Sequence, residues 1–180
     1  MKKSIPIWQL GGLVFVSVTG TLLHFLYDWT GESVAVGIFC AVNESIWEHI
    51  KLLYFPMLLY SFIEARFISD KVSNYWCAKL AGALIGIVLI PVMYYTYSGI
   101  LGKSADWFNI LIFFISAGVA YYIETKLMLA DKGCRLSNVQ IILILLIIGA
   151  VFVLLTFKPP HIPLFRDPID KTYGIKKELH

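Results

Sequence analysis

Residues 139–157 read VQIILILLIIGAVFVLLTF, a stretch that contains no charged side chain. A helix needs roughly 20 mostly apolar residues to cross the hydrocarbon core of a bilayer. This stretch is therefore predicted to be a transmembrane helix, and its hydropathy makes it the clearest such helix in the chain.

Working outward from it, the rest of the sequence contains four further apolar stretches of similar length, often with Trp or Tyr at their ends, as an interfacial aromatic belt requires. We predict an all-α integral membrane bundle of five transmembrane helices within residues 1–157. A Pro-rich, non-helical tail is predicted for residues 158–180. The predicted spans are Trp8–Trp29, Asn43–Glu64, Trp76–Tyr97, Trp107–Lys126 and Val139–Phe157.

The overall composition agrees with a membrane protein. Of 180 residues, 58% are hydrophobic and 15% are charged, and the mean hydropathy is +0.74. These values exclude a soluble globule and a disordered chain. The formal net charge of +3 is small, so the lipid bilayer is the expected partner and nucleic acid is not. Three scattered cysteines suggest neither a disulfide framework nor a zinc ribbon.

The sequence also aligns with itself. Trp8–Gly31 matches Trp76–Gly99, and Trp47–Arg66 matches Trp107–Lys126, with FIEAR corresponding to YIETK. Such a duplication predicts two tandem two-helix repeats forming a four-helix core, with the fifth helix outside. Chance similarity between apolar helices is the alternative. Ser33–Val42 has no counterpart and is too short to cross a bilayer, so an interfacial or re-entrant turn is expected there.

Loop charges predict an orientation. Most lysines and arginines of the short loops lie on the side of Lys2 and Lys3, and the opposite short loops hold Lys51 and Lys103. By the positive-inside rule, the N-terminus is predicted to be cytoplasmic and the C-terminus extracytoplasmic. The cations of the tail oppose this assignment.

Two groups of ionisable residues lie near one end of the predicted bundle. His24 and Asp28 are one helical turn apart at the end of the first span, and Glu44, Glu48 and Lys51 recur at helical spacing where the second begins. Ionisable groups in a membrane are costly and are commonly functional. We therefore predict one pocket in which the imidazole and the three carboxylates perform acid–base chemistry.

Helix capping is the simpler alternative. Ser45-x-x-Glu48 fits a capping box, and Glu44 suits the positive end of the helix dipole. His49 is expected to point away from the acidic stripe. A divalent metal is another alternative, since one histidine with two or three carboxylates is a possible ligand set. Because no HxxH, HExxH or Glu-x-x-His spacing occurs, no metal ligands are assigned, and the cofactor stays unknown.

Other residues are assigned by position. Glu64 and Glu124, each two residues before a cation, are expected to mark the opposite interface. The tail, KPPHIPLFRDPIDKTYGIKKELH, has four prolines that prevent a regular helix, and it is predicted to be either a lid or a loosely ordered surface segment. The predicted ligand-binding residues are Trp29, Trp47, Lys51, Tyr94, Tyr97, His161 and Asp167, with Arg166 and Asp170 as further lid candidates.

Two resemblances accompany these patterns. At HFLYDWTG, AVNESIWEHIK and PPHIPLFRDPIDKTYGI the chain resembles an uncharacterised family of small integral membrane proteins of bacteria, which implies a multi-pass protein of the cell membrane. His24-x-x-x-Asp28, followed by Asn43-Glu44-Ser45-Ile46 and Pro56, is similar to the pattern of EXPERA-type proteins, which include the emopamil-binding sterol isomerase and the sigma-2 receptor. That resemblance implies a four-helix bundle with an acidic pocket.

Three function hypotheses follow. The first is an integral membrane protein that binds a small amphipathic or cationic ligand in the acidic pocket near one membrane face. The second is a membrane-embedded isomerase or hydrolase acting on a lipidic substrate. The third is a small transporter. Whether the protein is an enzyme, and whether it forms a homo-oligomer, stay open at this point.

Overall fold

The computed structural model describes residues 4–175 and is helical apart from loops and one isolated bridge between Arg166 and Tyr173. Five of its helices are long and apolar enough to cross a membrane, which confirms the predicted five-helix, all-α bundle. The remaining α-helix, α2, is a single turn and is too short to cross a membrane. The α-helices are α1 (Ile5–Trp29), α2 (Val34–Gly37), α3 (Ile46–Ile68), α4 (Tyr75–Leu101), α5 (Asp106–Ala130) and α6 (Asn138–Phe157).

The start of α3 differs from the prediction. Ser45 is its N-cap, with the Ser45 hydroxyl accepting a hydrogen bond from the Glu48 backbone N–H at 3.4 Å, so the helix begins at Ile46 and not at Asn43. Glu44 therefore precedes the helix. The expected helical stripe of Glu44, Glu48 and Lys51 is wrong, because Glu44 lies in the connecting segment.

Four helices form a closed ring. The α1–α3 and α4–α5 pairs are antiparallel hairpins, while α1 also packs on α5 and α3 on α4. The last long helix, α6, lies outside the ring against α3 and α4. This is the expected core of four helices with a fifth added, and superposition of the two hairpins by a twofold axis stays a prediction.

Close packing in the ring depends on small residues. A Cβ at Gly20 of α1 would lie 2.6 Å from the Phe113 ring of α5 and 2.9 Å from the Leu52 carbonyl oxygen of α3. Helices in lipid gain little from the hydrophobic effect between them, so contacts of this kind carry much of their association. The outer faces are apolar and suit hydrocarbon, as shown by exposed Val88, Val92, Leu143, Ile147 and Leu154.

The segment between α1 and α3 folds back onto the bundle. After the single turn of α2, Cys40 and Val42 are buried against Tyr27. The segment does not cross the bundle, in keeping with the interfacial turn that was predicted.

The tail after α6 docks on the same end. Phe165 stacks on Trp47 at 4.6 Å, and the Asn43 side-chain amide donates to the Gly174 carbonyl oxygen at 3.0 Å. These contacts resemble the predicted lid more than a loose surface segment. Residues 176–180, the end of the predicted tail, lie outside the described residues.

One covalent link was not expected from the sequence. Cys77 at the start of α4 forms a disulfide with Cys134 in the α5–α6 loop, with their Cα atoms 6.2 Å apart. Cys40 is free and buried. The spacing of the cysteines did not suggest this disulfide, because the fold brings together two cysteines that are far apart in sequence.

Candidate functional site

The polar pocket at the tail-covered end of the bundle is built around His24, Glu44 and His49. His24 Nε2 lies 3.7 Å from Glu44 Oε1, and His49 Nε2 lies 3.6 Å from Glu44 Oε2. One donor atom from each residue lies within 4.8 Å of the others. His49 is thus part of the cluster and does not point away, because Glu44 lies before the helix and the helical spacing that predicted opposite directions does not apply to it.

Local hydrogen bonds orient the cluster. His49 Nδ1 lies 2.9 Å from the Ser45 carbonyl oxygen, one helical turn back. A carbonyl can only accept, so Nδ1 carries the proton and Nε2 presents its lone pair toward Glu44 when the ring is neutral. His24 Nδ1 is buried without a hydrogen-bond partner, and its Nε2 also faces Glu44.

The tail holds the carboxylate residue in place. The Glu44 backbone N–H donates to Asp167 Oδ2 at 3.1 Å, and Asp167 Oδ1 accepts from the Ile169 backbone N–H at 2.7 Å. Asp167 is buried, although it comes from a proline-rich segment. Its carboxylate therefore positions the Glu44 backbone and does not itself face the cavity.

A cavity of about 130 Å³ opens beside the cluster. Its ionisable lining residues are Glu44, Asp106 and His49, and among the described lining residues there is no lysine or arginine. The cavity is consequently acidic. Glu44 and His49 share the lining with α4, α5 and the tail, which contribute Tyr94, Asp106, Asn109, Phe113 and Ile169.

Two predicted pocket residues lie elsewhere. Glu48 and Lys51 form an ion pair at 2.5 Å, and their side chains are 2% and 0% exposed. Thr156 of α6 donates to Glu48 Oε1 at 2.9 Å and accepts from Lys51 at 3.0 Å. The Gly37 carbonyl oxygen accepts a further Lys51 proton at 2.9 Å. The placement of both residues in the pocket is wrong, since their polar atoms are bound within the protein.

Of the predicted aromatic ligand-binding residues, one lines the cavity and others are packed or hydrogen-bonded within the protein. Tyr94 lines the cavity, whereas the Tyr97 hydroxyl donates to Asn109 and accepts from the Ala105 N–H at 3.2 Å. Trp47 is packed between Phe152 and Phe165.

The remaining candidates are peripheral. Asp28 is exposed at the end of α1, and Trp29 is 67% exposed and stacks on Phe25. His161 is exposed and packs on Tyr173 within the tail at 4.6 Å. These three predictions of pocket contact are not met by the geometry.

A second polar cluster, here called the lysine triad, was missed as a unit. Lys79 Nζ lies 2.5 Å from Glu64 Oε2 and 2.6 Å from Glu124 Oε2, and all three side chains are buried. Both glutamates were expected at the interface, which is wrong. The internal alignment carried the signal, because FIEAR and YIETK place Glu64 and Glu124 at equivalent positions.

Neighbouring residues hydrogen-bond to one glutamate of the lysine triad and leave space for the other. Gln9 donates to Glu64 Oε1 at 2.7 Å, and the Tyr75 hydroxyl donates to Glu64 Oε2 at 3.2 Å. A Cβ at Gly82 would overlap the Glu124 carboxylate, so the glycine lets that carboxylate occupy its observed place beside α4. The described cavities do not reach the three charged side chains, so the triad is suited to holding helices together and not to receiving a ligand.

Comparison with known proteins gives one family and two curated relatives that are similar to the chain. The model described as "Family of unknown function (DUF6512)" matches residues 1–175. Heme A synthase of Ehrlichia ruminantium strain Gardel is 28% identical over 150 residues, which are 79% of this chain and 43% of that protein. Heme A synthase of strain Welgevonden is 29% identical over 164 residues, or 84% and 47%. The chain spans about half the length of these relatives. No solved structure matches it.

Proposed function

The chain belongs to the family of unknown function DUF6512, and we propose that this integral membrane protein binds a small cationic ligand in the polar pocket. One observation carries the proposal: two carboxylates, Glu44 and Asp106, line a cavity whose described lining has no lysine or arginine. The aromatic faces of Tyr94 and Phe113 add favourable contacts for a cation.

The size of the cavity limits the ligand. A volume of about 130 Å³ is below the roughly 300–1,000 Å³ of sites for drug-sized molecules, so the ligand is a metal ion or a small ammonium compound. The exposure of the Glu44 carboxylate affects the binding strength as well. Glu44 is 42% exposed on its side chain, so solvent screens its charge only in part.

Thermal stabilisation of the detergent-solubilised protein tests the proposal. Zn²⁺ and tetramethylammonium are the cationic probes, and tert-butanol is the neutral probe, all at constant ionic strength. We expect stabilisation by at least one cation and none by tert-butanol. Glu44→Gln or Asp106→Asn should weaken binding about tenfold, because a charge contact near 4 Å is worth roughly 1–4 kcal/mol between water and a protein surface.

A matched control comes from Glu32, an exposed glutamate in the turn after α1. Glu32→Gln should leave the stabilisation unchanged. Equal stabilisation by tert-butanol, or no stabilisation by either cation, overturns the proposal.

The pocket does not fit heme A, the compound in the names of the two relatives. The cavity of about 130 Å³ is too small for a macrocycle larger than most drugs. A larger cleft, of about 620 Å³, is lined by apolar residues of α1 and α3 together with Phe39, and no histidine is among the described residues that line it. We therefore propose no role for heme A in this protein.

A second candidate, an enzyme acting on a lipidic substrate, is favoured by that cleft. Thr19 is the one described lining residue with a polar side-chain atom, and its hydroxyl is already bonded to the Phe15 carbonyl oxygen at 2.7 Å. The cleft is otherwise lined by apolar side chains such as Leu22, Leu23 and Leu26, which suit a hydrocarbon chain. Incubation with a membrane lipid extract, followed by mass spectrometry, should show product with the wild type and none with Glu44→Gln. No product from either contradicts the enzyme hypothesis.

A further inference from the structure

We infer that His24, Glu44 and His49 bind a divalent first-row transition-metal ion. This inference rests on the proposed function and names its ligand. The sequence analysis assigned no metal ligands, because these three residues come from two helices and a connecting segment, a combination that no short spacing motif describes.

The distances fit a metal better than direct hydrogen bonds. The two histidine–carboxylate separations of 3.7 and 3.6 Å exceed the roughly 2.7–3.2 Å of N–H···O bonds. Ligands about 2.1 Å from a tetrahedral metal are about 3.4 Å apart. The two histidine–carboxylate separations are therefore within a few tenths of an ångström of this spacing, and all three donor atoms lie within 4.8 Å of one another, so closure around an ion needs side-chain movement of about 1 Å or less.

The protonation pattern leaves the donors facing one another. The Ser45 carbonyl oxygen keeps the His49 proton on Nδ1, so the His49 Nε2 lone pair and the Glu44 carboxylate both point into the gap. Two acceptors at this distance repel unless a proton or a metal ion lies between them. A hydrogen bond from the second ring nitrogen to a backbone carbonyl is also the usual support for a metal-bound histidine.

The surroundings supply the other requirements of a metal site. The Glu44 backbone is held by Asp167, and the Asn43 side chain bridges the Ser45 N–H and the Gly174 carbonyl oxygen. The adjacent cavity offers an entry path and room for a fourth ligand such as water. Three protein ligands with one open position are typical of catalytic zinc sites.

The ligand set selects the class of metal. Two imidazoles and one carboxylate suit Zn²⁺, Fe²⁺ or Co²⁺, whereas Mg²⁺ and Ca²⁺ prefer oxygen ligands. We therefore expect Zn²⁺ to bind and Mg²⁺ not to compete.

The test is calorimetric titration of Zn²⁺ into the full chain in detergent after chelator treatment, with Co²⁺ absorption as a second readout. We expect one ion per chain and a d–d spectrum showing nitrogen ligation. His24→Gln, His49→Gln and Glu44→Gln should each weaken binding by at least tenfold, as loss of even indirect support weakens metal sites 10–100-fold. His161→Gln, in the tail on Tyr173, is the matched histidine control and should bind normally.

The outcomes separate the two proposals. Zn²⁺ binding that persists in His24→Gln and His49→Gln, or stabilisation by tetramethylammonium alone, overturns the metal inference and leaves the acidic pocket standing. Failure of both cations overturns both proposals. Thermal unfolding of each variant is also measured without metal. A Tm equal to that of the wild type shows that the substitution weakened metal binding without unfolding the protein.

Discussion

Replacing Lys79 with Met tests the lysine triad, because the side chain keeps its length while Glu64 and Glu124 lose the ammonium they share. The lysine is 2% exposed and the glutamates 0% and 1% on their side chains, so solvent provides almost no screening. Removing one partner of a buried ion pair costs about 3–5 kcal/mol. For a chain of this size that corresponds to a fall in Tm of roughly 6–20 °C, at about 2–4 °C per kcal/mol.

The assay is thermal unfolding in detergent, followed by circular dichroism. Lys126→Met is the matched control: Lys126 is exposed above the Tyr122 ring at 5.4 Å, and its loss should cost about 1 kcal/mol or less. The triple variant with Glu64→Gln and Glu124→Gln added to Lys79→Met should recover most of the loss, since it leaves no unpaired charge. If Lys79→Met is as stable as Lys126→Met, the triad does not stabilise the bundle as reasoned here.

Three further predictions concern separate parts of the fold. Gly82→Ala should lower the Tm, because the new Cβ would overlap the Glu124 carboxylate, and overpacking costs about 1–3 kcal/mol; an unchanged melting curve would contradict this. Burial raises the pKa of the Cys40 thiol, so less thiolate is present near pH 8 and maleimide labelling should be slow until the protein is denatured; labelling at the rate of a free thiol would refute the burial. Because disulfides persist in oxidising compartments, the Cys77–Cys134 disulfide predicts that the end of the bundle where α1 begins faces such a compartment, opposite to the prediction from loop charges. A fluorescent reporter that matures in the cytoplasm, fused after the tail, should therefore be bright, and a dark fusion would restore the charge-based orientation.

The capping motif at the start of α3 shows which features a local sequence pattern predicts and which it does not. The Ser45 hydroxyl caps the Glu48 N–H as predicted. The Glu48 carboxylate, however, does not return to the cap: it pairs with Lys51, accepts from Thr156 and accepts from the Val42 N–H at 3.3 Å. The motif predicts where the helix begins, but the partner of its acidic side chain comes from another helix.

The polar pocket shows the same division. The sequence placed His24 and Glu44 at one end of the bundle, because hairpin connectivity brings adjacent helix ends together. It did not identify His49 or Asp106. His49 depends on the rotation of α3, and Asp106 depends on how the α4–α5 loop approaches the tail.

The five membrane-spanning helices could be identified from composition alone, because a chain in lipid must satisfy every backbone hydrogen bond locally and cover it with apolar side chains. Hydropathy is a property of each segment, and it needs no knowledge of its neighbours. The pairing of charges was decided only by tertiary structure. Glu64, Lys79 and Glu124 meet because α3, α4 and α5 have one relative height and rotation, which depends on contacts such as those at Gly82. An ion pair of about 2.5 Å is lost when a helix slides by one turn, whereas the apolar match of that helix to the membrane hardly changes.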